Sequence, residues 1–264
     1  MTEKPDSVDR DVLFTVTDHV AVVQLNRPER RNAANCDVTR AMSWICQAVD
    51  GDADIRVAVL TSANSGMFCS GADLAEIAKD GGSDLMNEYG GFGGFVRAPR
   101  ETPWIASVDG PAMGGGFEFA LACDMIVAST RSQFGLPEVK RGLYAAAGGV
   151  FRLSRALPRA VANELIVTGD PIAADRALTF GLVNEVVAPD ALAKSALALA
   201  QRVAANAPVS VRESLRLARF GIDGDEDALW DKSNAALMRV MASADTREGP
   251  RAFVEKRAPN WSGS

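Results

Sequence analysis

Apolar and polar positions change their period several times along the chain. Residues 12–26, VLFTVTDHVAVVQLN, are two β-rich runs split by a short polar turn, the pattern of a hairpin. Residues 35–50 place Val38, Met42, Ile45 and Val49 on one helical face, with Asn35 as N-cap. Residues 55–63, IRVAVLTSA, are continuously apolar, as in a strand buried on both faces. A loop, NSGMFCSG, then turns at Gly71 and leads into a helical segment, ADLAEIAKD, opening at Ala72. The order recurs with a buried strand at 103–110, a triple-glycine turn, a helix at 117–124 and a strand at 125–129. Alternation of this kind predicts an α/β domain with largely parallel pairing. From Pro189 onward only helical periodicity remains, broken by Pro and Gly. The division predicts a core over residues 11–188 and a helical region over 189–264 that caps it or packs against another subunit.

Composition narrows the chemistry. The 264 residues are 47% hydrophobic and 23% charged, as in an ordinary globular protein. No apolar run approaches the ~18–20 residues that span a bilayer, and the polar first ten residues contain no signal-peptide core. The expectation is a cytoplasmic protein without a membrane partner. A net charge of −6 with no basic stripe argues against nucleic acid. Arg27, Arg30 and Arg31, in NRPERRN, form one local basic cluster: either an anion site or a solvated loop. Cys36, Cys46, Cys69 and Cys123 have no Cys-x-x-Cys spacing and read as reduced thiols, not as a disulfide framework or zinc site. The single histidine, His19, falls in the hairpin turn. Without a placed histidine, serine or cysteine triads and histidine-held metals are excluded, so acid–base work falls to carboxylates.

Two carboxylates stand out. Between Gly110 and Cys123, in GPAMGGGFEFALACD, Glu118 is the only charged side chain. Glutamate is seldom buried without a partner. Glu138 sits in QFGLPEVKRGL, beside Phe134 and Leu136, with Pro137 at the first position of a helix or turn. The triple glycine and CSGADL each offer main-chain amides at the start of a helix, where free N–H groups and the dipole favour negative charge. GPAMGG lacks the lysine of a nucleotide loop. Two such turns after neighbouring strands either aim two amides at one oxygen atom or are merely tight turns.

NRPERRNAAN, FCSGADL, GPAMGGGFEFALACD, FGLPEV and REGPRAFVEKRAPNW, in this order over residues 11–261, together resemble the enoyl-CoA hydratase/isomerase, or crotonase, family. The resemblance implies a spiral of ββα units with a helical C-terminal trimerisation region, assembled as a trimer or a dimer of trimers. It implies a coenzyme A thioester as substrate and no separate metal or redox cofactor. Carried over position by position, the oxyanion-hole amides fall on Ala72 and Gly115, and the catalytic pair on Glu118 and Glu138. Gly71, Asp73, Leu74 and Gly114 match segments flanking the thioester and CoA. Arg31 and Ala33 match the stretch near the nucleotide, and Lys256, of the same or a neighbouring subunit, is a candidate for its phosphates. The resemblance implies hydration of a 2-enoyl-CoA. An isomerase, racemase or carnitinyl-type dehydratase, and a non-catalytic CoA-ester binder, remain the alternatives. The chain departs from the pattern at Ala34, where leucine is common, and at GLYAAAGG (142–149). Residues 80–98, which correspond to the variable lining of the acyl pocket, hold six glycines and read as mobile.

Overall fold

The computed structural model of the chain describes residues 3–80, 82–221 and 224–264. Met1 and Thr2 of the polar N-terminal stretch, and Gly81 of the glycine-rich segment, lie outside the described residues. β1 (Val12–Thr17) and β2 (Val20–Leu25) form the hairpin. Asp18 and His19 both take positive φ in its two-residue turn, 48° and 66°, which matches the twist of the strands. The His19 ring, through Nδ1, lies 2.9 Å from the Asp54 carbonyl oxygen, so the one histidine serves a turn. In α1 (Cys36–Gly51) the Asn35 side chain accepts from the Val38 N–H at 3.0 Å, the expected N-cap.

The chain continues through β3 (Val57–Ser62), α2 (Leu74–Asp80), β4 (Met86–Asn87), β5 (Gly91–Phe92), β6 (Trp104–Val108) and β7 (Pro111–Met113). Next come α3 (Gly115–Ala122), β8 (Met125–Ser129), β9 (Gln133–Gly135), a 3₁₀ turn over Pro137–Arg141, α4 (Gly149–Ala156) and α5 (Arg159–Thr168). β10 (Ile172–Ala173), α6 (Ala174–Thr179) and β11 (Glu185–Val187) precede the last helices, α7 (Leu192–Ala204), α8 (Pro208–Gly221), α9 (Glu226–Ala242) and α10 (Asp245–Glu255). α2 begins at Leu74, not at Ala72 as the sequence pattern implies, because Ala72 pairs in extended form with Ala34.

Six strands make one sheet in the order β1-β2-β3-β6-β8-β11, antiparallel only between β1 and β2. Alternate residues of a strand face opposite sides. Ala58, Leu60, Trp104, Ala106, Ile126 and Ala128 enter the main core, together with residues of α1, α3 and α4. Val57, Val59, Ile105 and Val127 point the other way, onto Leu192, Ala196, Ala200 and Ala204 of α7. Both faces are therefore covered, which accounts for the unbroken apolar runs. Within residues 189–264, α7 thus completes the packing of the sheet. α8 and α9 pack on each other, and Leu237, Met238 and Met241 of α9 with Phe253 and Val254 of α10 are exposed. Among the described residues, no helix is long and apolar enough to cross a membrane.

A smaller sheet, ordered β10-β9-β7, carries the chain from the glycine turn to the Pro137 turn. Within the glycine-rich segment, residues 92–95 are packed into the core and depart from the expectation of mobility. Phe92 and Phe95 are buried, with ring centroids 5.4 and 5.8 Å from that of Phe119. A β-carbon on Gly93 would run into the Phe119 ring, and one on Gly94 into the Thr39 carbonyl. These glycines allow close packing of backbone against the core, which is the opposite of looseness.

Candidate active site

Four turns lie side by side at one end of the strands. The Ala34 N–H donates to the Gly71 carbonyl at 2.7 Å, and the Asp73 N–H donates to the Ala34 carbonyl at 2.9 Å. On the next segment Met113 donates to the Cys69 carbonyl at 2.9 Å, and Gly114 donates onward to the Gly135 carbonyl at 2.8 Å. Gly71, at φ +100°, is so close to the triple glycine that a β-carbon there would sit 3.0 Å from Gly115 N. Only glycine suits that conformation and that contact. Among the described residues, neither the Ala72 nor the Gly115 amide donates a hydrogen bond to the main chain. Gly115 is the first residue of α3, where helical geometry leaves the amide free. The two unpaired amides are thus brought to adjoining segments.

Glu118 is one turn further along α3 and only 3% exposed. Its Oε1 accepts from the Gly149 N–H at 2.8 Å. Burial pushes its pKa up to about 7. The backbone of Gly149 and Ala147 and the charge of Arg152 act against that rise, while the charge of Glu138 adds to it. Glu138 follows Pro137 in the 3₁₀ turn and is half-buried. Burial raises its pKa too, and its Oε2 is shielded without a partner among the described residues. A β-carbon on Gly114 would lie 3.0 Å from Glu138 Oε1, so this carboxyl stands against the glycine turn. The charge of Glu138 is felt at Glu118, where it adds to the effect of burial.

The remaining expected residues divide. Asp73 is buried, and its carboxylate receives both terminal nitrogens of Arg27 at 3.2 Å. Arg27 also donates to the Ala33 carbonyl. Arg27 is therefore spent inside the fold, while Arg30 and Arg31 stay exposed. Arg31 joins the site framework through its backbone, whose carbonyl accepts from Ser70 at 3.0 Å. Ala33 is buried, and Leu74, 62% exposed, presents its side chain at the start of α2. Lys256 lies apart. It caps α10 at φ +54° and is exposed, and α10 packs on α9, so within one protomer it does not join the other site residues. A β-carbon on Gly115 would run into the Phe92 ring, so Gly115→Ala would disturb the aromatic cluster first.

Three residues that build the site went unsingled by the sequence pattern. Asn32, buried at φ +56°, accepts from the Arg27 N–H at 2.8 Å and donates to Ser62 Oγ and the Phe68 carbonyl at 2.8 and 2.9 Å. Gly149 supplies the amide on Glu118, and Arg152 lies behind it. The readable signal for Gly149 is the glycine pair Gly148–Gly149 at a helix start. Asn32 and Arg152 have no comparable local signal.

Residues 15–264 match the family model described as Enoyl-CoA hydratase/isomerase. The chain is 39% identical over 258 residues to the (E)-benzylidenesuccinyl-CoA hydratase of Thauera aromatica, covering 96% of this chain and 99% of that one. It is 36% identical over 255 residues to the carnitinyl-CoA dehydratase of Proteus mirabilis, covering 95% and 97%. The crystal structure of an enoyl-CoA hydratase from Mycobacterium tuberculosis superposes with a TM-score of 0.92 at 40% identity, covering 96% of this chain and 99% of that one.

Proposed function

The chain belongs to the enoyl-CoA hydratase/isomerase family, and on that premise we propose that it adds water, syn, across a 2-enoyl-CoA double bond. The product is a 3-hydroxyacyl-CoA, the chemistry of fatty acid β-oxidation. One observation carries the reading: a buried and a half-buried carboxyl stand beside two main-chain amides that donate to no main-chain carbonyl among the described residues. The Ala72 and Gly115 amides hold the thioester oxygen. Ionised Glu118 takes a proton from water as the water oxygen bonds to C3. The C2–C3 π pair moves toward the thioester oxygen as an enolate, and protonated Glu138 delivers its proton to C2. Glu118 then returns its proton to Glu138, restoring a pair that carries one proton between them. The thioester and the amides carry the developing charge, so the scheme calls for no metal or redox cofactor. A pKa raised to about 7 lets Glu118 take up a proton near neutral pH, and burial favours the protonated form of Glu138.

The proposal extends to assembly and location. The exposed apolar side chains of α9 and α10 support a homotrimer or a dimer of trimers. Lys256 would then reach CoA phosphates from a neighbouring subunit, and Arg31, Ala33, Asp73 and Leu74 would line the CoA path. The site belongs to the 11–188 unit, the assembly surface to 189–264, and the protein to the cytoplasm. A carnitinyl-CoA-type dehydration is the second reading, favoured by the 36% identity to the Proteus enzyme. A buried and a half-buried carboxyl side by side would be a needless cost in a protein that only bound CoA esters.

A panel of straight-chain, branched, aromatic and carnitinyl CoA thioesters tests these readings by loss or gain of the conjugated double bond. Turnover of crotonyl-CoA supports hydration of short enoyl chains, and turnover of carnitinyl-CoA alone moves the assignment to the second reading. No turnover with any ester overturns both. Light scattering of the purified chain tests the trimer.

A further inference from the structure

Arg152, on the first turns of α4, has an unusual set of partners for a half-buried cation. Its Nη1 donates to the Ala147 carbonyl at 3.0 Å, and its Nη2 donates to the Val96 carbonyl at 2.5 Å. Among the described residues, no carboxylate forms an ion pair with it. The acidic group whose charge favours the cation is Glu118. The other groups facing it are Arg100, from the loop before β6, Arg155 on α4 and Cys123 at the end of α3. Its guanidinium carbon also stands 5.2 Å from the Phe151 ring centre. The segment it grips is the one that serves Glu118, since Ala147 and Gly149 both act on that carboxyl through their backbone. A β-carbon on Gly148 would run into the Arg152 fork, so the loop closes directly over the guanidinium.

We propose that Arg152 is a positioning residue for Glu118: it clamps the 147–149 amides onto the carboxyl, ties them to the Val96 loop, and holds a positive charge behind the base. A planar guanidinium can bridge two carbonyls at fixed spacing while keeping its charge, and an ammonium cannot reproduce that fork. The clamp also joins Glu118 to the glycine-rich segment, because Val96 follows Phe92 and Phe95 in the aromatic cluster. Loss of the cation disfavours the ionised carboxyl, and loss of the clamp loosens its amides. The inference rests on the hydration reading for its kinetic meaning, and on geometry alone for its effect on Glu118.

Two variants of the full chain separate these effects. The Glu118 protonation midpoint is followed by carboxyl infrared difference spectra, with Glu118→Gln as the blank. In Arg152→Gln the midpoint rises by about one pH unit. With crotonyl-CoA, kcat falls about ten- to a hundred-fold while KM stays near wild type, and its acid limb moves to higher pH. Arg152→Lys keeps the midpoint but quickens amide hydrogen exchange at residues 147–149 and lowers kcat. A folded Arg152→Gln with the wild-type midpoint overturns the proposal. If that variant does not fold, Arg152→Lys decides, and wild-type exchange and kcat in it overturn the proposal. If the wild-type protein hydrates no enoyl-CoA, the hydration reading fails, while the midpoint and the exchange rates still decide the role of Arg152.

Discussion

The two walls of the candidate cleft hold their carboxyls in different ways. Glu118 is fixed in α3, buried, hydrogen-bonded to Gly149 and backed by Arg152. Glu138 rides on a short 3₁₀ turn, half-buried, with one oxygen shielded but unpartnered. A carboxyl clamped by amides keeps one geometry in both protonation states, which suits a base that must orient a water molecule. One with a spare oxygen can turn toward a carbon and release its proton. The difference teaches that a matched pair of residues need not be matched in stiffness.

The comparison breaks first on catalysis. Glu118→Gln and Glu138→Gln should each lower hydration about 10²–10⁴-fold, read as kcat on crotonyl-CoA, with CoA-ester binding retained by calorimetry. Near-normal turnover in either variant removes that wall from the mechanism.

Stability separates the walls next. The folded protein holds Glu118 near a pKa of 7 against an ordinary 4.5, so it binds this proton more tightly than the unfolded chain does. Wild-type stability from this group is therefore present at low pH and lost as pH rises from about 4.5 through about 7. Glu118→Gln removes the loss, so at pH 8 it should be more stable than wild type by on the order of 2–3 kcal/mol. The gain should vanish toward pH 4 in urea titrations. A gain of equal size at both pH values would refute the linkage. Glu138→Gln should show a smaller gain of the same sign, because that side chain is less buried.

The glycines beside each carboxyl sharpen the contrast. Gly114, at φ +53°, faces Glu138, and Gly114→Ala strains the backbone by about 1–3 kcal/mol, measurable as a lower urea midpoint. Gly149→Ala would put its methyl 2.9 Å from Ala145 Cβ and 3.0 Å from Glu118 Oε1, with no positive φ to strain. Its cost comes from overpacking, about 1–3 kcal/mol, and its kinetic effect should track Glu118. A wild-type urea midpoint together with wild-type kcat in Gly149→Ala would refute the close contact at that wall.

Much of the fold was legible because its signals are local. The hairpin turn, the Asn35 cap and the apolar runs of β3, β6 and β8 depend on neighbours a few residues away. β7, β9, β10 and β11 escaped because two or three residues are too few to establish a period. Residues 92–95 were misread because glycine allows both looseness and close approach, and only Phe119 and Thr39 across the core decide between them. α2 starts two residues late because pairing with Ala34 claims Ala72 for an extended bridge.

By itself, the sequence determined the chemical vocabulary: carboxylates with a single histidine that falls in a turn, amide-presenting turns, and the motifs of one family. Tertiary structure decided which groups share a space. It set Gly71 against Gly115, drew Glu138 to Gly114, diverted Arg27 to Asp73, and brought Gly149 and Arg152 from 31 and 34 residues away to Glu118. The reason is physical: residue type fixes what a group can donate or accept, but burial, field and distance exist only once the chain has closed on itself.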